Sequence, residues 1–187
     1  MLTFAGILVV LSPAVLLALF GVATLLRTPL AETVYSRCTA AAVCTGLTAA
    51  LWILVAMLVT DQRQVLVGLG DWVRIPEASE HHAGEHPSGA GVSMHLVGDE
   101  PHFHFTMKFM FDRLSVPFVI MTYVLCGVIS AFASRYLHRD GGFQRFFLFL
   151  SFFLLGMILS SAAGTIETLF FGWELVGLSS EIGRAHV

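Results

Sequence analysis

Glu174 is the one charged residue in "TLFFGWELVGLSS", residues 168–180, an otherwise apolar run. Holding an ionised carboxylate at the centre of a bilayer costs about 3 kcal/mol on insertion scales. Burial disfavours the charged form and a nearby cation favours it, so a carboxyl held between those effects takes up and releases protons. The chemistry this residue type suggests is therefore proton relay, because ionisable side chains inside membrane segments mark ion pathways. The plainer alternative is a glutamate at a helix end or in a structural hydrogen bond. Glu167 lies seven residues earlier, two turns and about 10 Å along the axis, on nearly the same face. It is either a second stop on the same path or an acid placed at the positive end of a helix dipole.

Other polar residues invite weaker readings. Asp112 and Arg113, in "FDRLS", stand where a helix begins, so Asp112 is expected to cap that helix. His81, His82, His86, His95, His102 and His104 crowd one loop, yet Gly84, Pro87, Gly89 and Gly91 deny them a rigid scaffold and no cysteine accompanies them. That loop reads as a solvated acidic–histidine segment, and no metal ligand is assigned. Cys38, Cys44 and Cys126 show no CxxC spacing and read as small apolar fillers. There is no phosphate-binding glycine loop, no haem or iron–sulfur ligand set and no nucleophile–base pair in the sequence. No catalytic residue and no cofactor is assigned to this chain.

The elements that must position Glu174 are apolar helices. The chain has 187 residues, is 56% hydrophobic and 12% charged, about half the charge of a soluble domain. No Asp, Glu, Lys or Arg interrupts Leu2–Leu26, Cys38–Thr60, Leu114–Ser134 or Phe146–Ile166. Each run is long enough, at about 1.5 Å per residue, to cross a hydrocarbon core of about 30 Å. A fifth apolar segment starts near Thr168 and is broken only by Glu174. The first run lacks a basic n-region and exceeds a signal-peptide core in length, so it reads as a retained helix. Pro29 ends that helix, and Thr33 or Ser36 is placed to start the next. The expected class is an all-α polytopic membrane protein with five transmembrane helices.

Between the second and third helices lies a 61–111 segment with structure of its own. In "HFHFTMKFMF", Phe103, Phe105, Met107, Phe109 and Phe111 alternate with His102, His104, Thr106, Lys108 and Met110. That period of two is a half-buried strand, and "QVLVGLGDWVRIP" supplies its partner. The expectation is an extracytoplasmic β-hairpin on the membrane surface. The short connections Arg27–Arg37 and Arg135–Arg145 are the more densely basic, so they are assigned to the cytoplasm, with the N-terminus and the 61–113 loop outside. Segment boundaries follow: helices one and two over 1–60, the loop over 61–111, and helices three to five over 112–180. The last seven residues, "EIGRAHV", bring charge into a span that needs about 20 apolar residues. They back-translate to a widely used sequencing-adapter oligonucleotide, so 181–187 are expected to be read-through and the chain a truncated, N-terminal part of a longer protein.

From about residue 103 to 180 the chain resembles a known family. "FMFDRLSVPF", "ASRYLHRDGGFQRFFLFLSFFLLGM" and "LFFGWELVGLSS", in that order, are similar to the N-terminal region of the large antiporter-like membrane subunit of respiratory complex I, subunit L of the bacterial NADH–quinone oxidoreductase or chain 5 in mitochondria. The resemblance implies that Glu174 is the family's membrane glutamate on helix five, which pairs there with a lysine on a later, broken helix. It implies proton translocation coupled to quinone reduction by partner subunits, within a translocase-class NADH:quinone oxidoreductase. The implied partners are other membrane subunits of a respiratory or antiporter complex and the lipid bilayer, with no nucleic acid. The bacterial inner membrane is the implied location. Leu175 stands where glycine is usual in the complex I signature. The alternative kept open is the proton-conducting subunit of a multisubunit cation/proton antiporter or of a DAB-type inorganic-carbon uptake complex.

Overall fold

A computed structural model describes residues 2–26, 30–61, 64–74 and 104–184. Seven elements follow one another along them: α1 (Leu2–Leu25), α2 (Glu32–Thr60), β1 (Gln64–Arg74), β2 (His104–Asp112), α3 (Ser115–Tyr136), α4 (Phe143–Ser161) and α5 (Ile166–Arg184). The protein is mostly helical, and α1, α2, α3 and α4 are long and apolar enough to cross a membrane. It is an integral membrane protein. These four helices form a bundle, and α5 packs against α4. Glu167, Glu174 and Glu181 make α5 less apolar than the others.

The bundle core contains Val9, Ile53, Val119, Tyr123, Leu154 and Ile158. Its middle is organised by one proline. Pro13 lies inside α1, and a proline has no N–H for the carbonyl four residues back. That carbonyl belongs to Val9. The Tyr123 hydroxyl, reaching across from α3, donates to it at 2.6 Å. Its single proton is thereby used, so the Ser12 hydroxyl, 2.9 Å away, is the donor of the remaining bond. Tyr123 reaches α1 by passing over α2 at Gly46, where any Cβ would collide with the tyrosine ring. A second, aromatic cluster closes one end of the bundle, with Tyr35 against Phe20 at 4.6 Å and Phe143 against Phe147 at 4.7 Å.

Helix α2 begins before Thr33 and Ser36, which therefore lie in its opening turns and do not cap it. Ala31 is the N-cap, without a side-chain bond. Its carbonyl accepts from Val34 and Tyr35, and Glu32 supplies acid to the first turn.

Strands β1 and β2 pair antiparallel, with Gln64 opposite Asp112, Val65 opposite Phe111 and Val67 opposite Phe109. Within β2, Phe109 and Phe111 are buried and Lys108 is exposed. The strand also clamps onto the α4–α5 turn. The Met110 N–H donates to the Ala162 carbonyl at 2.9 Å, and the Gly164 N–H donates to the Lys108 carbonyl at 2.8 Å. One end of the bundle thus gathers the end of α2, the sheet, the start of α3 and the α4–α5 turn. The opposite end gathers the start of α2 and the α3–α4 connection. There Glu32 accepts from His138 Nδ1 at 2.7 Å and from the Arg139 N–H at 3.1 Å.

Candidate functional site

The position of Glu174 is set by how closely α5 approaches α4. A Cβ on Gly172 would stand 2.6 Å from the Ser160 backbone nitrogen, and one on Gly156 would stand 2.8 Å from the Gly172 carbonyl. The two glycines let the backbones meet, and Thr168, Val176 and Ser179 continue the seam at helical spacing. Thr168 is 1% exposed and Ser179 is 7% exposed, while Val176 would touch a Cβ on Gly156. That seam fixes the rotation of α5. Glu174 is two residues, or about 200°, from Gly172 around the helix, so it stands on the face turned away from α4 and is exposed in this chain.

Glu174 lies eight residues after the first residue of α5, about 12 Å along its axis, and the helix continues to Arg184. Glu167 falls in the first turn, on the same side, and is half-buried. Neither carboxylate has a hydrogen bond or an ion pair among the described residues. Thr165 and Thr168 hydroxyls join at 2.9 Å beside Glu167, ordering the entry to the helix. What the arrangement offers chemically is two carboxylates on one stripe, with a helix face of Phe170, Phe171 and Trp173 exposed around them.

Asp112 and Arg113 sit apart from that stripe, at the junction of β2 and α3. Asp112 Oδ1 accepts from the Leu114 N–H at 2.9 Å and the Ser115 N–H at 2.6 Å. The Ser115 hydroxyl oxygen accepts from the Asp112 N–H at 2.8 Å in return. This reciprocal pair closes the turn that leads into α3; the helix's own N-cap is Leu114, without a side-chain bond, so Asp112 does not cap α3 as its position in the sequence suggested. The Ser115 N–H holds the Asp112 carboxyl below the usual aspartate range, against the opposing effect of partial burial. Arg113 pairs with Asp61 at the end of α2, which draws the base of the hairpin together. Asp61 itself adopts φ 50°, the left-handed conformation that stops α2.

Of the histidines singled out in the sequence, His104 lies in β2, and the other five fall outside the described residues. Among the described residues no group of three His, Cys, Asp or Glu is placed to hold a metal ion. Cys126 is buried, Cys38 half-buried and Cys44 exposed, all as free thiols. Two arrangements escaped sequence reasoning. The Glu32–His138 tie joins residues 106 apart in the chain, and no local pattern marks it. The Tyr123–Val9 bond had one visible signal, a proline inside an apolar helical run.

Comparison with known proteins adds to this geometry. Residues 99–147 match a family model described as the N-terminus of NADH-ubiquinone oxidoreductase (complex I) chain 5. The chain 5 protein of Rattus norvegicus is 36% identical over 75 residues, covering 40% of this chain and 12% of the rat protein. That of Mycosarcoma maydis is 31% identical over 93 residues, 49% of this chain and 14% of the fungal protein. That of Hypocrea jecorina is 33% identical over 82 residues, 44% and 12% respectively. The matched stretch thus spans about an eighth of the curated relatives. Over that stretch the chain is similar to the N-terminal region of the large antiporter-like membrane subunit of complex I, chain 5.

Proposed function

We propose that this chain forms the start of the proton-translocating core of a complex I-type membrane subunit, with Glu174 as a proton-relay carboxylate and Glu167 as a second acid on the same path. The match to chain 5 carries this reading. Glu174 supports it by standing well inside α5 on a face that the bundle leaves uncovered. Hydrocarbon is a poor neighbour for that face, since a mid-bilayer carboxylate costs about 3 kcal/mol. Further protein of a larger assembly is the cover that lets it titrate. The chain's own residues supply relay positions, and redox energy comes from partner subunits that reduce quinone.

In this reading α5 is a fifth span. The sheet, the α4–α5 turn and the N-terminus lie outside the cytoplasm, and the basic connections around Arg37 and Arg135–Arg145 lie inside. Two features support that topology: β2 is bonded to the α4–α5 turn, and His138 is bonded to Glu32 at the other end. A bacterial inner membrane fits the same scheme.

The test is Glu174→Gln in the complete subunit within its assembled complex, reading NADH-driven proton uptake into vesicles alongside the amount of complex assembled. Proton translocation is expected to fall to the leak level while assembly is unchanged. Full pumping by the Gln variant, at normal assembly, sinks the relay role.

A further inference from the structure

The end of the bundle opposite the sheet carries a cleft of about 410 Å³ lined by Glu32, Thr33, Ser36, Arg37, Ser134 and His138, with the Phe143 ring as an apolar wall. Three of these, Glu32, His138 and Ser134, are already bonded within the protein. Glu32 accepts from His138 Nδ1 and from the Arg139 N–H, and the Ser134 hydroxyl donates to the Ala131 carbonyl at 2.8 Å. The hydroxyls of Thr39, Thr45 and Thr48, further along α2, likewise donate to carbonyls of their own helix. Thr33, Ser36 and Arg37 differ. Among the described residues none of their side chains has a hydrogen bond or ion pair, and all three line the cleft.

Apart from the His138 ring, tied to Glu32 through Nδ1, the groups left over are a guanidinium and two hydroxyls, while the one carboxylate is engaged. Such a set suits an oxyanion: arginine supplies charged, paired donors and hydroxyls rotate to follow. Depth in the bilayer narrows the choice. Arg37 is the last charged residue before the uncharged run Cys38–Thr60, so it stands at the boundary between headgroups and hydrocarbon. Just beyond it, Ala40 and Cys44 on α2 and Val128 and Ile129 on α3 are exposed, a surface along which acyl chains can lie.

We propose that this cleft seats the phosphate of an anionic phospholipid headgroup, with Arg37, Thr33 and Ser36 as its donors. The site goes beyond proton relay and is independent of Glu174. An inorganic phosphate ion shares the chemistry, and the lipid is favoured because the cleft opens at the membrane boundary beside exposed apolar faces.

The experiment is native mass spectrometry of the full chain in detergent, titrated separately with phosphatidylglycerol, phosphatidylcholine and inorganic phosphate. Phosphatidylglycerol is expected to bind more tightly than phosphatidylcholine. Arg37→Gln is expected to weaken phosphatidylglycerol by about fivefold, the effect of one basic side chain near an anionic surface. Arg135→Gln, at an exposed arginine of the same end but outside the cleft, is expected to change it less than Arg37→Gln does, because its charge acts on the headgroup only through screening solvent. Circular dichroism checks that each variant keeps its helices. Should Arg37→Gln fail to fold, the charge-preserving double variant Thr33→Ala/Ser36→Ala carries the test, with weaker phosphatidylglycerol binding expected. Unchanged binding in the folded cleft variant overturns the proposal, as does an equal loss in Arg135→Gln. So does Arg37-dependent binding of inorganic phosphate without any of phosphatidylglycerol.

Discussion

Glu174 shows what a single residue can and cannot declare. Its type and its apolar neighbours made it the leading candidate for chemistry, but its direction depended on Gly172, two residues earlier. Because Gly172 faces α4 at close range, Glu174 faces outward. Its partner in any relay must come from outside α1–α4. Asp112 is the opposite case, with its role complete within four residues. Replacing it with alanine removes the acceptor for two N–H groups in the turn before α3 and should destabilise the protein by about 1 kcal/mol, read as a lower midpoint in detergent unfolding. The pH dependence has a definite sign. The folded carboxyl titrates below its ordinary value, so the unfolded chain binds the proton first on acidification. The stabilisation is present in full above the unfolded value of about 4 and is lost as pH falls through the folded one. The Asp112→Asn variant should lack that acid-side loss, and unfolding midpoints from pH 6 down to pH 2 would check it.

At the scale of elements, the helices are held by small residues where they approach most closely and by one polar bridge where the backbone is incomplete. Pro13 leaves the Val9 carbonyl without its helical donor, and Tyr123 provides a replacement from α3. Tyr123→Phe keeps the ring that fills the space over Gly46 but removes the proton. A buried carbonyl left unpaired costs about 1–3 kcal/mol, so this variant should lose stability by that amount, measured by thermal or denaturant unfolding. Gly46→Ala is predicted to be at least as damaging, because the new methyl collides with the tyrosine ring. Combining Gly46→Ala with Tyr123→Ala should cost less than the two single losses added together, since removing the ring removes the collision.

For the whole molecule, the two ends of the bundle differ in what ties them. One end is closed by backbone hydrogen bonds between β2 and the α4–α5 turn and by the Asp61–Arg113 pair. The other is closed by the aromatic cluster around Tyr35 and by Glu32 with His138. The exposed Glu32–His138 contact itself is worth little, at most about 1 kcal/mol, so the aromatic packing carries that end. The proposed topology makes these ends lie on opposite sides of a membrane. In a cysteine-free background, Lys108→Cys and Arg139→Cys should react with a membrane-impermeant maleimide from opposite sides of sealed vesicles. Labelling of both from the same side would refute the arrangement.

Composition and spacing by themselves determined the membrane class, the helical runs and the residues worth watching, because a bilayer demands long uncharged stretches and penalises every exception to them. The alternation of Phe109 and Phe111 with Lys108 likewise marked a strand, since a period of two has no other simple meaning. Glu174 stood out in the sequence for the same reason, as a charge within an apolar run. Only the tertiary structure decided which way that carboxylate points, that Tyr123 completes a helix it does not belong to, and that Arg37 shares a cleft with His138. Those are relations between residues far apart in the chain, fixed by where glycines let helices touch and by which polar groups remain unpaired once they do.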